Sequence, residues 1–127
     1  MNTIQVTQND YNTLMELLAR NPGVTEDEKT RQGALLSELL RAEILPEAEM
    51  APDVITLRRR ARIVELGSGD VLDYTLVLPQ EADVSEGRIS ILAPLGTAML
   101  GFRCGDVFEW MMPGGAMKLK VESVLRG

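Results

Sequence analysis

The sequence predicts an α+β fold, with a short N-terminal antiparallel helical hairpin followed by an antiparallel β-sheet domain that carries one short helix. Three observations predict it. Apolar residues recur with helical spacing from Thr7 to Leu45 and mostly alternate from Asp53 to Leu125. A stretch bracketed by Pro46 and Pro52 separates the two patterns. Gly-rich clusters at 67–70 and 113–115 then punctuate the second half as turns between alternating runs. The expected organisation is a hairpin over 1–45, a linker over 46–52 and a sheet domain over 53–127.

The first helix is predicted from about Gln8 to Arg20. Thr7 can cap it, and Asp10 places negative charge in the first turn, where the helix dipole favours it. Tyr11, Leu14, Met15 and Leu18 fall on one stripe. Asn21, Pro22 and Gly23 break the helix. Thr25 and Glu28 then have capping-box spacing and start a second helix that should reach Ala42 or Ile44. Leu35, Leu36, Leu39 and Leu40 form its apolar face, Gly33 weakens it by about 1 kcal/mol relative to Ala, and Pro46 helps to end it.

Strands are expected near Thr56–Leu66 and Val71–Leu78, joined by the turn Gly67-Ser68-Gly69-Asp70, with a further strand over Arg88–Leu92. Pro94 suits the first position of a short helix and Gly101 the position just past its end. Val107–Met112 and Ala116–Val124 read as a hairpin around Pro113-Gly114-Gly115. Met117, Leu119 and Val121 alternate there with Lys118, Lys120 and Glu122, so one face is buried and one is wet.

Composition excludes several kinds of chemistry. The 127-residue chain has no histidine, which removes the commonest neutral-pH acid/base and any Ser-His or Cys-His pair. One cysteine cannot build a zinc site or an intrachain disulfide. Phosphate-binding loops are missing, and Gly67-x-Gly69 is too short for a dinucleotide fingerprint. No cofactor is therefore expected. A net charge of −6 argues against a broad nucleic-acid surface, which needs cations to neutralise phosphates. The run Arg58, Arg59, Arg60 and Arg62 reads as a solvated strand edge, and Cys104 as a small buried apolar group. Met1 to Asp10 offers neither a basic start nor an apolar stretch, so the cytoplasm is the expected compartment, with no membrane partner.

Two clusters carry competing readings. Glu26, Asp27 and Glu28 lie at the hairpin tip, where carboxylates can hold Mg²⁺; capping and the helix dipole account for the same residues without a ligand. Leu92, Ala93, Pro94 and Leu95 form an apolar strand-to-helix corner. It either closes the core or presents an apolar knob to a partner.

The segment from Ile89 through Ala93-Pro94-Leu95-Gly96 to Gly105-Asp106, followed by Pro113-Gly114-Gly115, resembles the C-terminal domain of the bacterial Gre transcription factors. The order is a strand, a proline-led short helix, G-x-x-x-G-D, a strand and P-G-G. Pro46, Met50 and Pro52-Asp53-Val54-Ile55-Thr56, with the short hairpin, bring the chain nearer to the regulators of nucleoside diphosphate kinase within that superfamily. The resemblance implies an FKBP-like C-terminal domain and docking on bacterial RNA polymerase near its secondary channel. It identifies Leu92, Ala93, Pro94 and Leu95 with the family corner that contacts the channel rim, although apolar residues replace the polar ones of that corner. The hairpin is about half the family length or less by its rise per residue, and Glu26-Asp27-Glu28 lacks the family's D-x-x-E context. Three functions stay open. One is a non-catalytic polymerase-binding regulator that competes with Gre-type factors and influences nucleoside diphosphate kinase levels. The second is a Mg²⁺-assisted transcript-cleavage cofactor, and the third a direct binder of nucleoside diphosphate kinase.

Overall fold

Where the sequence changes period, the chain divides. The structure, a computed structural model describing residues 4–112 and 114–126, falls into two compact units, one up to Ala51 and one from Pro52 onward. The proline-bracketed stretch is tied into the first unit. Pro46 starts a 3-10 turn over Glu47–Glu49, Met50 is buried, and the Ala51 N–H donates to the Gln5 side chain at 3.2 Å.

In the first unit, β1 (Gln5–Val6) precedes α1 (Gln8–Arg20), α2 (Glu26–Leu40) and β2 (Glu43–Ile44). The Thr7 hydroxyl accepts the Asp10 N–H at 3.1 Å, as its cap position requires. Helix α2 ends earlier than its sequence pattern suggests. Beyond Leu40 the backbone turns to β1 instead: the Glu43 and Leu45 N–H groups donate to the Ile4 and Val6 carbonyls, both at 2.9 Å, and β1 and β2 pair in parallel. The expected four-leucine face is also narrower. Leu35 and Leu39 are buried, whereas Leu36 and Leu40 are 36% and 65% exposed, so only the residues four apart serve the core.

The second unit is a five-stranded sheet in the order β5-β4-β3-β7-β6. It comprises β3 (Arg59–Glu65), β4 (Val71–Val77), β5 (Arg88–Ser90), β6 (Val107–Met112) and β7 (Gly115–Arg126), with α3 (Pro94–Met99) between β5 and β6. The sheet is mixed, not wholly antiparallel. The segment 78–87, with 3-10 turns at Pro79–Glu81 and Val84–Glu86, carries the chain back so that β5 runs parallel to β4. Residue Pro113 of the expected last turn lies outside the described residues.

The arginine run is not a strand edge. Strand β3 pairs with β4 on one side and β7 on the other, making it the middle of the sheet. Only its outward face is solvated: Arg60 and Arg62 reach Asp73 at 3.6 and 3.5 Å, while Ala61 and Ile63 are fully buried. Arg59 turns inward, where one guanidinium nitrogen donates to the Val54 carbonyl at 2.9 Å, which offsets the cost of burying the cation. Cys104 is exposed, contrary to the expectation of burial. It lies in the Arg103–Asp106 turn, and its Sγ is 3.1 Å from the Glu122 carbonyl oxygen. Register shifts by one residue between Arg62 and Ile63, which leaves Glu122 as an extra residue on β7. Leu119 and Val121 are buried before this bulge, and Leu125 beyond it is exposed.

The core of this unit gathers Ile55, Ile63, Leu76, Ile91, Met99 and Leu119, and Phe102 stacks on Phe108 with ring centroids 4.5 Å apart. The central position of β3 has a measurable consequence. Urea denaturation should show Ile63→Ala losing roughly 2–5 kcal/mol, while Arg62→Ala, an exposed ion-pair loss, should change stability by less than about 1 kcal/mol.

Candidate functional site

The hand-over from β5 to α3 builds the candidate site. Ser90 ends the strand and folds the chain back on itself: its hydroxyl accepts the Leu92 N–H and its carbonyl the Ala93 N–H, both at 3.0 Å. The Thr97 hydroxyl, one turn into α3, donates to the Ile91 carbonyl at 2.5 Å. The Ile91 N–H donates in turn to the Val77 carbonyl at 2.9 Å, which stitches the corner to β4. Pro94 takes the first helical position, where its missing N–H costs nothing. A Cβ at Gly96 would stand 2.0 Å from the Ser90 carbonyl oxygen, so glycine alone lets the helix approach the strand this closely.

The four corner residues divide by exposure. Pro94 is exposed, Leu92 and Ala93 are half-buried, and Leu95 is buried at 9%. Leu95 thus belongs to the core and holds the helix down, while Leu92, Ala93 and Pro94 form an apolar rim. Ser90, Gly96 and Thr97 build the corner without having been singled out in the sequence. Gly96 carried the clearest signal, since a glycine inside a predicted helix is usually kept for a close approach.

The hairpin tip is organised differently. The Glu28 N–H donates to the Thr25 hydroxyl at 3.1 Å, and the Thr25 N–H donates to the Glu28 carboxylate at 3.0 Å, a complete capping box. These bonds, that from the Thr25 backbone first, hold the Glu28 carboxyl below the usual carboxylate range. Glu26 lies 3.8 Å from Lys29. Among the described residues no group of three or more His, Cys, Asp or Glu side chains gathers as a metal site would need.

Known proteins resemble the chain along most of its length. The family model described as transcription elongation factor, GreA/GreB, C-terminal, matches residues 50–126. The chain belongs to the GreA/GreB family. This GreA/GreB-family chain is 42% identical over 82 residues to the regulator of nucleoside diphosphate kinase of Escherichia coli strain K12, a match spanning 65% of the chain and 60% of that relative. It is 30% identical over 118 residues to the transcription elongation factor GreA of Sinorhizobium medicae, covering 93% of the chain and 70% of that protein. The solved structure of a GreA/GreB elongation factor from Nitrosomonas europaea superposes with a TM-score of 0.83 at 32% identity, over 98% of this chain and 99% of that one. The GreA homologue Gfh1 of Thermus thermophilus gives 0.51 at 27% identity, over 97% and 99%. The relatives are named as regulators and elongation factors, and the corner between β5 and α3 lies inside the segment that matches the family model.

Two measurements check these arrangements. Gly96→Ala should cost about 1–3 kcal/mol or more by overpacking the strand–helix contact, read as a lowered urea midpoint. Thr25→Ala should cost about 1 kcal/mol by uncapping α2, whereas Asp27→Ala should stay within about 0.5 kcal/mol. Because the Glu28 carboxyl titrates lower folded than unfolded, its stabilisation is present above the unfolded value and fades as pH falls through the folded one. The helical circular-dichroism signal should therefore weaken only on acidification below the ordinary carboxylate range, and Glu28→Gln should remove that component.

Proposed function

We propose that this chain is a non-catalytic transcription regulator that docks on bacterial RNA polymerase near its secondary channel through Leu92, Ala93 and Pro94. The observation that carries this reading is the exposed Pro94 at a corner fixed by four hydrogen bonds. An apolar contact already locked in place loses little conformational entropy on binding, and apolar anchors of this kind dominate interface energetics. Docking at that rim puts the chain in competition with Gre-type factors. Influence on nucleoside diphosphate kinase then acts through transcription, with no direct contact to the kinase, to nucleic-acid sequence or to a membrane. Cytoplasmic residence follows from the partner.

The transcript-cleavage reading has less support. Glu28 is committed to its cap and Glu26 stands beside Lys29. Helices of 13 and 15 residues span only about 20 and 22 Å. Pro94→Asp should leave the melting temperature unchanged and lower affinity for core RNA polymerase at least tenfold, or about 1.4 kcal/mol, as read by biolayer interferometry. Undiminished binding would reject the corner. Purified nucleoside diphosphate kinase should not be retained by the chain. Stalled elongation complexes should show no added transcript cleavage; cleavage that appears with the wild type and vanishes in Asp27→Ala would restore the rival reading.

A further inference from the structure

Arg58 is the only non-glycine residue with a positive φ among the described residues, at 66°. A side chain with a β-carbon is strained there, and glycine is the residue that adopts this conformation freely. Nothing in the core demands an arginine at this position, because its side chain is 52% exposed. Strained residues persist where the surroundings over-determine them, and they concentrate at functional positions.

The surroundings of Arg58 are those of the docking corner. Its N–H donates to the Leu76 carbonyl at 2.7 Å, while the Ile91 N–H donates to the next carbonyl, that of Val77, at 2.9 Å. Arg58 and Ile91 therefore flank the last residues of β4 from opposite sides, about 10 Å apart at two strand spacings. Leu92, Ala93 and Pro94 follow Ile91 directly. The Arg58 guanidinium reaches Glu81 at 3.0 Å, and the same carboxylate accepts the Leu78 N–H at 3.2 Å. The turn carrying Glu81 packs against β5. The strained backbone thus places a cation at the end of the sheet that carries the apolar rim.

We infer that Arg58 is the charged half of the docking surface, poised for a carboxylate on the same partner whose socket takes Pro94. The inference rests on the proposed docking of this corner. Glu81 holds the guanidinium in position in the free protein. The pair is solvent-exposed and contributes little to stability, so a partner Asp or Glu can take the place of Glu81 at small cost. The surface then recognises a mixed feature, apolar beside acidic, which gives specificity as well as contact area.

Arg58→Gly separates recognition from folding, because glycine relieves the strain while deleting the cation. The wild type and the variants Arg58→Gly, Arg58→Lys and Glu81→Gln are each titrated with core RNA polymerase at low and physiological ionic strength, alongside thermal melts. Arg58→Gly should melt at or above the wild-type temperature, bind about three- to tenfold more weakly and lose part of the salt dependence of binding. Arg58→Lys should restore part of the affinity, and Glu81→Gln should bind as tightly as the wild type or more so. An Arg58→Gly variant that binds like the wild type overturns this inference alone and leaves the apolar corner standing. A variant that loses melting temperature and affinity together marks Arg58 as a support of the fold and also overturns it. Wild-type protein that does not bind polymerase overturns both the docking corner and its charged neighbour.

Discussion

The double pairing of β3 is the constraint on which the C-terminal unit depends. A strand bonded on both sides has no free backbone groups and must sort its side chains strictly by face. That sorting sends Ala61 and Ile63 into the core and Arg60 and Arg62 to solvent. Burying a side chain the size of Ile63 stabilises by roughly 1.5–3 kcal/mol, whereas each exposed pair with Asp73 adds at most about 1 kcal/mol. The arginines therefore keep the outer face soluble, and the apolar half of the alternation holds the strand in register. Because β3 fixes β4, it also fixes the carbonyls of Leu76 and Val77, which seat Arg58 on one side and Ile91 on the other.

From that seat the corner follows by local bonding. Ser90 uses both its hydroxyl and its carbonyl to reverse the chain, Thr97 ties the helix back to the strand, and Gly96 removes the side chain that would keep them apart. Leu95 and Pro94 are sequence neighbours with opposite duties. The buried leucine anchors α3, and this frees the proline to face outward without the helix lifting from the sheet. The core-closure reading therefore holds for Leu95, and Pro94 is the residue of the corner that stands exposed. A strand-to-helix turn reverses side-chain direction over one or two positions, and composition alone cannot split the four.

What could be read from the sequence was what short-range physics decides. Thr7 and Thr25 cap their helices because a hydroxyl reaches an N–H three residues on, whatever the rest of the chain does. Pro94 starting α3 and the turn at 67–70 are legible for the same reason. Features set by partners distant in sequence were not legible. The parallel course of β5, the central place of β3 and the β1–β2 pairing that ends α2 early all depend on which strand returns beside which. Arg59 was hidden because the carbonyl that satisfies it belongs to Val54, outside the strand. The exposure of Leu125 was hidden because an extra residue at Glu122 shifts the alternation only where β7 meets β3.

The helical unit is bounded by the same reasoning. Up to Ala51 the chain carries four cations against nine carboxylates, while the remainder, with nine against ten, is close to neutral. A segment so acidic is repelled by phosphate backbones, whereas the sheet unit is nearly neutral. The tip cannot easily trade its present role for chemistry. Releasing the Glu28 carboxylate to a metal would unmake the cap that starts α2, in a helix only 15 residues long. Lengthening the helices would relax that conflict, because a longer helix tolerates the loss of one cap. In a hairpin this short, the Glu28 carboxylate serves the helix that carries it.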